Sequence, residues 1–153
     1  MKSRSLLPAF FAAACMVASG LVRADDLHLH AVLDSTPLVP APDSTASGEA
    51  RAILHDDGSL QVNAVFAGLA SDVTEVSLHS GPGNATGPAI TALNARRTAA
   101  GIVVNQRVDL QASAVADVRA GNSYLLVTTT DRPFGALRGQ LMPQPARLPA
   151  QTP

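Results

Sequence analysis

Lysine and cysteine are nearly absent from this chain: each occurs once in 153 residues, as Lys2 and Cys15. Both fall within residues 1–24, which read as a secretory signal peptide. Lys2 and Arg4 make a basic start, and residues 6–22 are apolar apart from Pro8, Ser19 and Gly20. Val22-Arg23-Ala24 then offers a small-residue cleavage site before Asp25. The part expected to remain has no lysine for Schiff-base or amine-nucleophile chemistry. It also has no cysteine for a disulfide, a thiolate nucleophile or a sulfur–metal bond. Cys15 leaves one rival reading, in which Ala12-Ala13-Ala14-Cys15 is a degenerate lipoprotein site and the chain is lipid-anchored through that cysteine.

Tryptophan is missing as well, and aromatics make up 3% of the chain. Beyond residue 24 only Phe66, Tyr124 and Phe134 remain, so the core is expected to be aliphatic. A carbohydrate-binding role would lack the rings that stack on sugars. Without Lys2, Arg4 and Arg23 the chain keeps 8 basic residues against 12 acidic ones, a net charge of −4. No basic stripe is left for nucleic acid. Hydrolase signatures such as G-x-S-x-G and H-E-x-x-H do not occur, and no enzyme activity is expected.

Two local patterns suggest chemistry and fail on inspection. Residues 81–87, Gly81-Pro82-Gly83-Asn84-Ala85-Thr86-Gly87, look like a phosphate cradle, but the third glycine comes late and a strand-like run follows instead of a helix. Asn84-Ala85-Thr86 also fits a glycosylation sequon, which a bacterial-style signal peptide makes accidental. Asp56-Asp57-Gly58 is a pair of carboxylates in a hairpin turn, where they are solvated turn formers and not an acid/base dyad.

What the chain does contain is alternation. Removing 24 of 153 residues leaves 129, enough for one domain with a core of its own. Leu27, Leu29, Ala31 and Leu33 alternate with His28, His30 and Val32. Leu60, Val62, Ala64 and Phe66 mark one face of another strand. Further extended runs are expected over 49–55, 73–79, 89–93, 102–110 and 124–130, with 136–141 returning after the Asp131-Arg132-Pro133-Phe134-Gly135 turn. Residues 35–47 carry Pro37, Pro40 and Pro42 and read as a loop or edge segment. A short helix is expected over 111–120, closed by Gly121. The fold class is therefore all-β, an antiparallel Greek-key-like sandwich or barrel of seven to eight strands spanning 25–142. A proline-rich tail over 143–153 is expected to be disordered.

With these elements placed, the chain resembles a CHRD (chordin-type) domain over residues 27–141. Ala46-Ser47-Gly48-Glu49-Ala50 is similar to the family's opening strand. His79-Ser80-Gly81-Pro82 with Thr86-Gly87-Pro88 resembles its glycine–proline loop. Gly121, Tyr124, Pro133, Gly135 and the run Leu137-Arg138-Gly139-Gln140-Leu141 resemble its closing signature. The resemblance marks Gly48, His79, Gly81, Pro82, Gly87, Tyr124, Gly135, Arg138, Gly139 and Gln140 as motif residues. It also shows departures. Family members commonly carry His, Asn, His and Glu where this chain has Ser77, Leu126, Thr128 and Ala136. The family implies a non-catalytic binding or structural module of the periplasm or cell envelope, without a cofactor. Its implied partner is a protein or another envelope component, and no segment after the signal would span a membrane.

The runner-up reading is a periplasmic metal-binding protein. His28 and His30 share one strand face and could ligate Zn or Cu if His55 or His79 came alongside. The alternative is a solvated strand face. Arg138, between Leu137 and Gly139, is expected to lie over Tyr124 or to bond loop carbonyls and so lock the closing hairpin. A ligand-carboxylate role is the other reading of that arginine.

Overall fold

In the computed structural model, which describes residues 26–35, 44–95 and 100–145, alternating side chains become strands. The expected signal peptide, Cys15, residues 36–43 of the proline-containing loop, residues 96–99 and the tail beyond 145 lie outside the described residues. β1 (Leu27–Asp34) buries Leu29, Ala31 and Leu33 and turns His28, His30 and Val32 outward. β2 (Ser47–Leu54) and β3 (Ser59–Ala67) are joined by the Asp56-Asp57-Gly58 turn. His55 N–H donates to Ser59 O at 2.9 Å across it. Asp57 Oδ1 accepts from the Ser59 N–H at 2.9 Å and from the Ser59 hydroxyl at 2.6 Å. These bonds, with Arg107 adding its charge, hold the Asp57 carboxyl below its ordinary range.

β4 (Val73–Ser80) and β5 (Ala89–Leu93) form a second hairpin. β6 (Gly101–Asp109) returns to pair with β3, and α1 (Ala112–Arg119) leads to β7 (Ser123–Thr129), β8 (Leu137–Gln140) and the two-residue β9 (Met142–Pro143). Every pairing is antiparallel, in the order β5-β4-β7-β8-β1-β2-β3-β6, with β9 also on β1. Of the two architectures open to the sequence, the chain forms the barrel: one continuous, nearly closed sheet and not two stacked layers.

The closure has a visible cause. Asn105 takes a left-handed φ of 46° where the β3–β6 register slips, and its N–H donates to Asn63 Oδ1 at 2.9 Å. Such a bulge adds twist, as do the register slips at Leu78/His79 and Val73/Glu75 on β4. Across the seam, Asn94 N–H donates to Gln106 Oε1 at 2.6 Å.

An eight-stranded barrel is narrow enough for side chains to fill it. Leu54, Leu60, Phe66, Leu78, Leu125 and Leu137 do so here, together with smaller Ala50, Ala52 and Ala64. The helix adds Val118, fully buried. It is slightly shorter than the expected 111–120 and ends in two bonds, Gly121 N–H to Val118 O at 3.2 Å and Asn122 N–H to Asp117 O at 2.8 Å. That pair is a Schellman motif, and Gly121 supplies its required positive φ of 74°.

Candidate functional site

On an antiparallel sheet, directly opposed residues share a face. The register therefore sets two rows of side chains on the outside of the barrel. One row runs His79, Tyr124, Gln140 and the other Ser77, Leu126, Arg138. An outer face is normally solvated, yet Tyr124 is 1% exposed and Arg138 5% exposed. The reason is the β4–β5 connection, residues 81–88, which folds back over them.

The side chains beneath hold that loop by its backbone. Arg138 Nη2 donates to Pro82 O at 2.7 Å. Gln140 Nε2 donates to Gly81 O at 3.0 Å and to Gly121 O at 2.8 Å. The Tyr124 hydroxyl accepts the Gly87 N–H at 3.0 Å. His79 Nδ1 lies 3.0 Å from Gly87 O, and since a carbonyl only accepts, Nδ1 carries the proton. Ser80 Oγ, at the loop's start, donates to Asp117 Oδ2 of α1 at 2.5 Å. Gly87 fits because it has no side chain: a Cβ there would stand 1.5 Å from Ser80 O.

Tyr124 is also the middle of a stack. The His79 ring, from β4, lies 5.1 Å away at 19°, and Arg138 Cζ, from β8, lies 3.5 Å from the Tyr124 centroid. Burial lowers the Arg138 pKa from its ordinary value, and the interaction with Tyr124 works the other way. The guanidinium stays charged throughout, as arginine does in proteins. Its Nε and the Gln140 Oε1 are buried without a hydrogen-bond partner.

A family model for the CHRD domain matches residues 19–141. The chain belongs to the CHRD domain family. No curated protein matches it, and no solved structure does. CHRD domains are non-catalytic modules found in secreted and extracellular proteins. Among the described residues, no helix is long and apolar enough to cross a membrane.

Seven of the ten residues that the resemblance marks gather at this clamp: His79, Gly81, Pro82, Gly87, Tyr124, Arg138 and Gln140. The other three are placed elsewhere. Gly48 lets β2 pass close to Val65 and Phe66, Gly139 lets β8 pass Val32 of β1, and Gly135 lies in the β7–β8 turn. The four residues at which the chain departs from the resemblance lie along β4, β7 and the start of β8. Ser77 and Leu126 share the Arg138 row, and Ala136 precedes β8 by one residue, two before Arg138. Thr128, two along from Leu126, shares a hydrogen bond with Thr74 at 2.9 Å.

The histidines are not brought together. Two strands, β7 and β8, separate His79 on β4 from His28 and His30 on β1. His30 Nε2 faces Glu49 Oε1 at 3.2 Å, and His55, just past the end of β2, faces Asp26 Oδ2 at 3.0 Å. Arg51 first, and His30 after it, hold the Glu49 carboxyl below its usual range. Among the described residues no three histidine, cysteine or acidic side chains are placed to hold a metal. No metal-holding grouping of His28 and His30 with His55 or His79 forms among the described residues: strand order takes His79 away, while His30 and His55, on the His28 side of the β1–β2 ribbon, are each turned to a carboxylate.

Sequence reading passed over one pair that the register makes. Ser77 Oγ lies 2.9 Å from His79 Nε2, which must accept because Nδ1 holds the proton. The signal was available, since residues two apart on a strand share a face. The pair is no nucleophile–base couple of the hydrolase kind. Ser77 is 2% exposed, and the group orienting the imidazole is the Gly87 carbonyl. A separate cleft of about 170 Å³ near the end of β5 has Thr74, Glu75 and Asn94 among its lining, with Glu75 as its one titratable group among the described residues.

Proposed function

We propose that this chain is an exported, non-catalytic binding module of the periplasm or cell envelope that presents the 81–88 loop as a preformed recognition element. One observation carries this reading. The polar groups of Arg138, Gln140, Tyr124 and His79 are directed at the backbone of their own loop, while Pro82, Gly83, Asn84, Ala85 and Thr86 face solvent. A loop held by buried side chains loses little conformational entropy on docking. Arg138 acts as a positioning residue for that loop.

The partner is a protein or another envelope component. To test this, immobilised protein is exposed to detergent-solubilised envelope, next to a variant with Gly83-Asn84-Ala85 replaced by serines. The reading requires a component retained in a fixed ratio by the first protein and lost by the second at unchanged melting temperature. Equal retention by both, or by neither, would sink it. Export has its own measurement. An N-terminus at Asp25 in a periplasmic fraction supports cleavage of residues 1–24, whereas a lipidated Cys15 would move the chain to the membrane-anchored class.

A further inference from the structure

Phe134 is 94% exposed, although the other two aromatics beyond residue 24, Phe66 and Tyr124, are 2% and 1% exposed. It stands at the tip of the β7–β8 turn. β7 starts beside the clamp, with Ser123 opposite Ser80, and ends at this turn, so Phe134 and the 81–88 loop lie at opposite ends of the barrel.

The turn under Phe134 is pinned. Arg132 N–H donates to Thr129 O at 3.1 Å, Gly135 N–H to Arg132 O at 3.2 Å and Ala136 N–H to Val127 O at 2.7 Å. Thr130 N–H reaches Asp72 O of the β3–β4 connection at 3.1 Å. Asp131 Oδ1 accepts from the Thr129 hydroxyl at 2.8 Å and from the Ser71 hydroxyl. A phenyl ring on such a base gives up little freedom when it docks. Solvent exposure of a lone apolar residue is ordinary. A fixed, protruding aromatic in a chain this poor in them is not.

We propose that the Phe134 tip is a docking knob for a protein partner that offers an apolar pocket of phenyl size with carboxylates at its rim. The rim follows from Arg132. Its side chain is half exposed two residues before Phe134 in the same turn, and its Nε lies 4.0 Å from Asp131 Oδ2, which leaves guanidinium donors for a partner. Aromatic and arginine side chains together are the common makings of an interface hot spot. An anionic bilayer fits less well, because lipid attachment of that kind takes a cluster of basic residues and the turn 131–135 offers one, Arg132. The inference rests on the reading of the chain as a binding module and adds a second surface to it.

The test is site-specific photocrosslinking in cells that export the full chain, with benzoylphenylalanine at position 134, at 84 or at 65. Val65 serves as control, since it is an exposed apolar residue on a sheet face. A single heavier adduct from position 134, absent from position 65 and reduced severalfold by Arg132→Glu, supports the knob. No adduct, an adduct indifferent to Arg132→Glu, or one of twice the chain's mass overturns it. So does sedimentation of the purified chain with phosphatidylglycerol vesicles that is lost in Phe134→Ser. If position 84 crosslinks and 134 does not, the knob is wrong and the binding reading stands. If neither crosslinks, both fall.

Discussion

The two loops at the ends of β7 are both rigid, and they are made rigid in opposite ways. Residues 81–88 are held from below by side chains of β4, β7 and β8, which lie more than 35 positions away in sequence for Tyr124 and Arg138. Residues 131–136 are held mainly by their own backbone bonds and by Asp131. The first loop buries the groups that fix it and shows solvent a glycine-rich tip. The second buries Ala136 at its end and shows solvent an aromatic ring. Long-range fixing by buried groups makes the first loop sensitive to single substitutions, while local turn chemistry makes the second tolerant of them.

Substitutions can break that contrast. Gly87→Ala should be the most damaging, lowering stability by about 3 kcal/mol in urea denaturation, because overpacking against backbone cannot be relieved by a rotamer change. Gly83→Ala, in the same loop but with its nearest neighbour at 3.9 Å, should change little. Equal effects would mean the clamp does not seat as described.

Arg138→Ala should come next, at about 2 kcal/mol, from lost packing on Tyr124 and an unpaired Pro82 carbonyl. Arg138→Met should lose less, since it keeps the packing and removes a desolvated charge. Full retention of melting temperature by Arg138→Ala would refute the positioning role.

At the other end Asp131→Ala should lower the melting temperature by less than Arg138→Ala, since it removes an exposed acceptor for the Thr129 and Ser71 hydroxyls. Phe134→Ser should stay within about 0.5 kcal/mol of the parent. A large loss on Phe134→Ser would show that the ring packs, and would remove the difference between the ends.

The smallest effect is that of pH. Hydrogen bonds from the Ser71 and Thr129 hydroxyls lower the Asp131 pKa, the Arg51 and Ser59 bonds lower those of Glu49 and Asp57, and all three carboxyls are exposed. A depressed carboxyl contributes stability that is complete above its unfolded pKa and lost as pH falls through its folded one. Melting temperature should therefore be flat from neutral pH down to about 5 and fall below about 4. Asp131→Ala should shallow that fall.

Much of this was legible beforehand. The turn Asp131-Arg132-Pro133-Phe134-Gly135 and the Asp56-Asp57-Gly58 hairpin are local chemistry, and both form as the residue types require. Alternation in β1 and β3 placed the inward leucines correctly. It could not show that Tyr124 and Arg138, on outward positions, would be buried. That depends on a loop arriving from another strand. Nor could it group or separate the histidines, whose distances are set by strand order.

By itself, then, the chain's sequence determined an all-β domain, its inward faces, its tight turns and its short helix, because each follows from the preferences of residues a few positions apart. Only the tertiary structure decided that the sheet closes as a barrel, that the 81–88 loop folds over Tyr124 and Arg138, and that Phe134 is left in solvent. Those outcomes depend on strand order, register and a bulge at Asn105, and contacts between residues far apart in the chain leave no periodic trace along it.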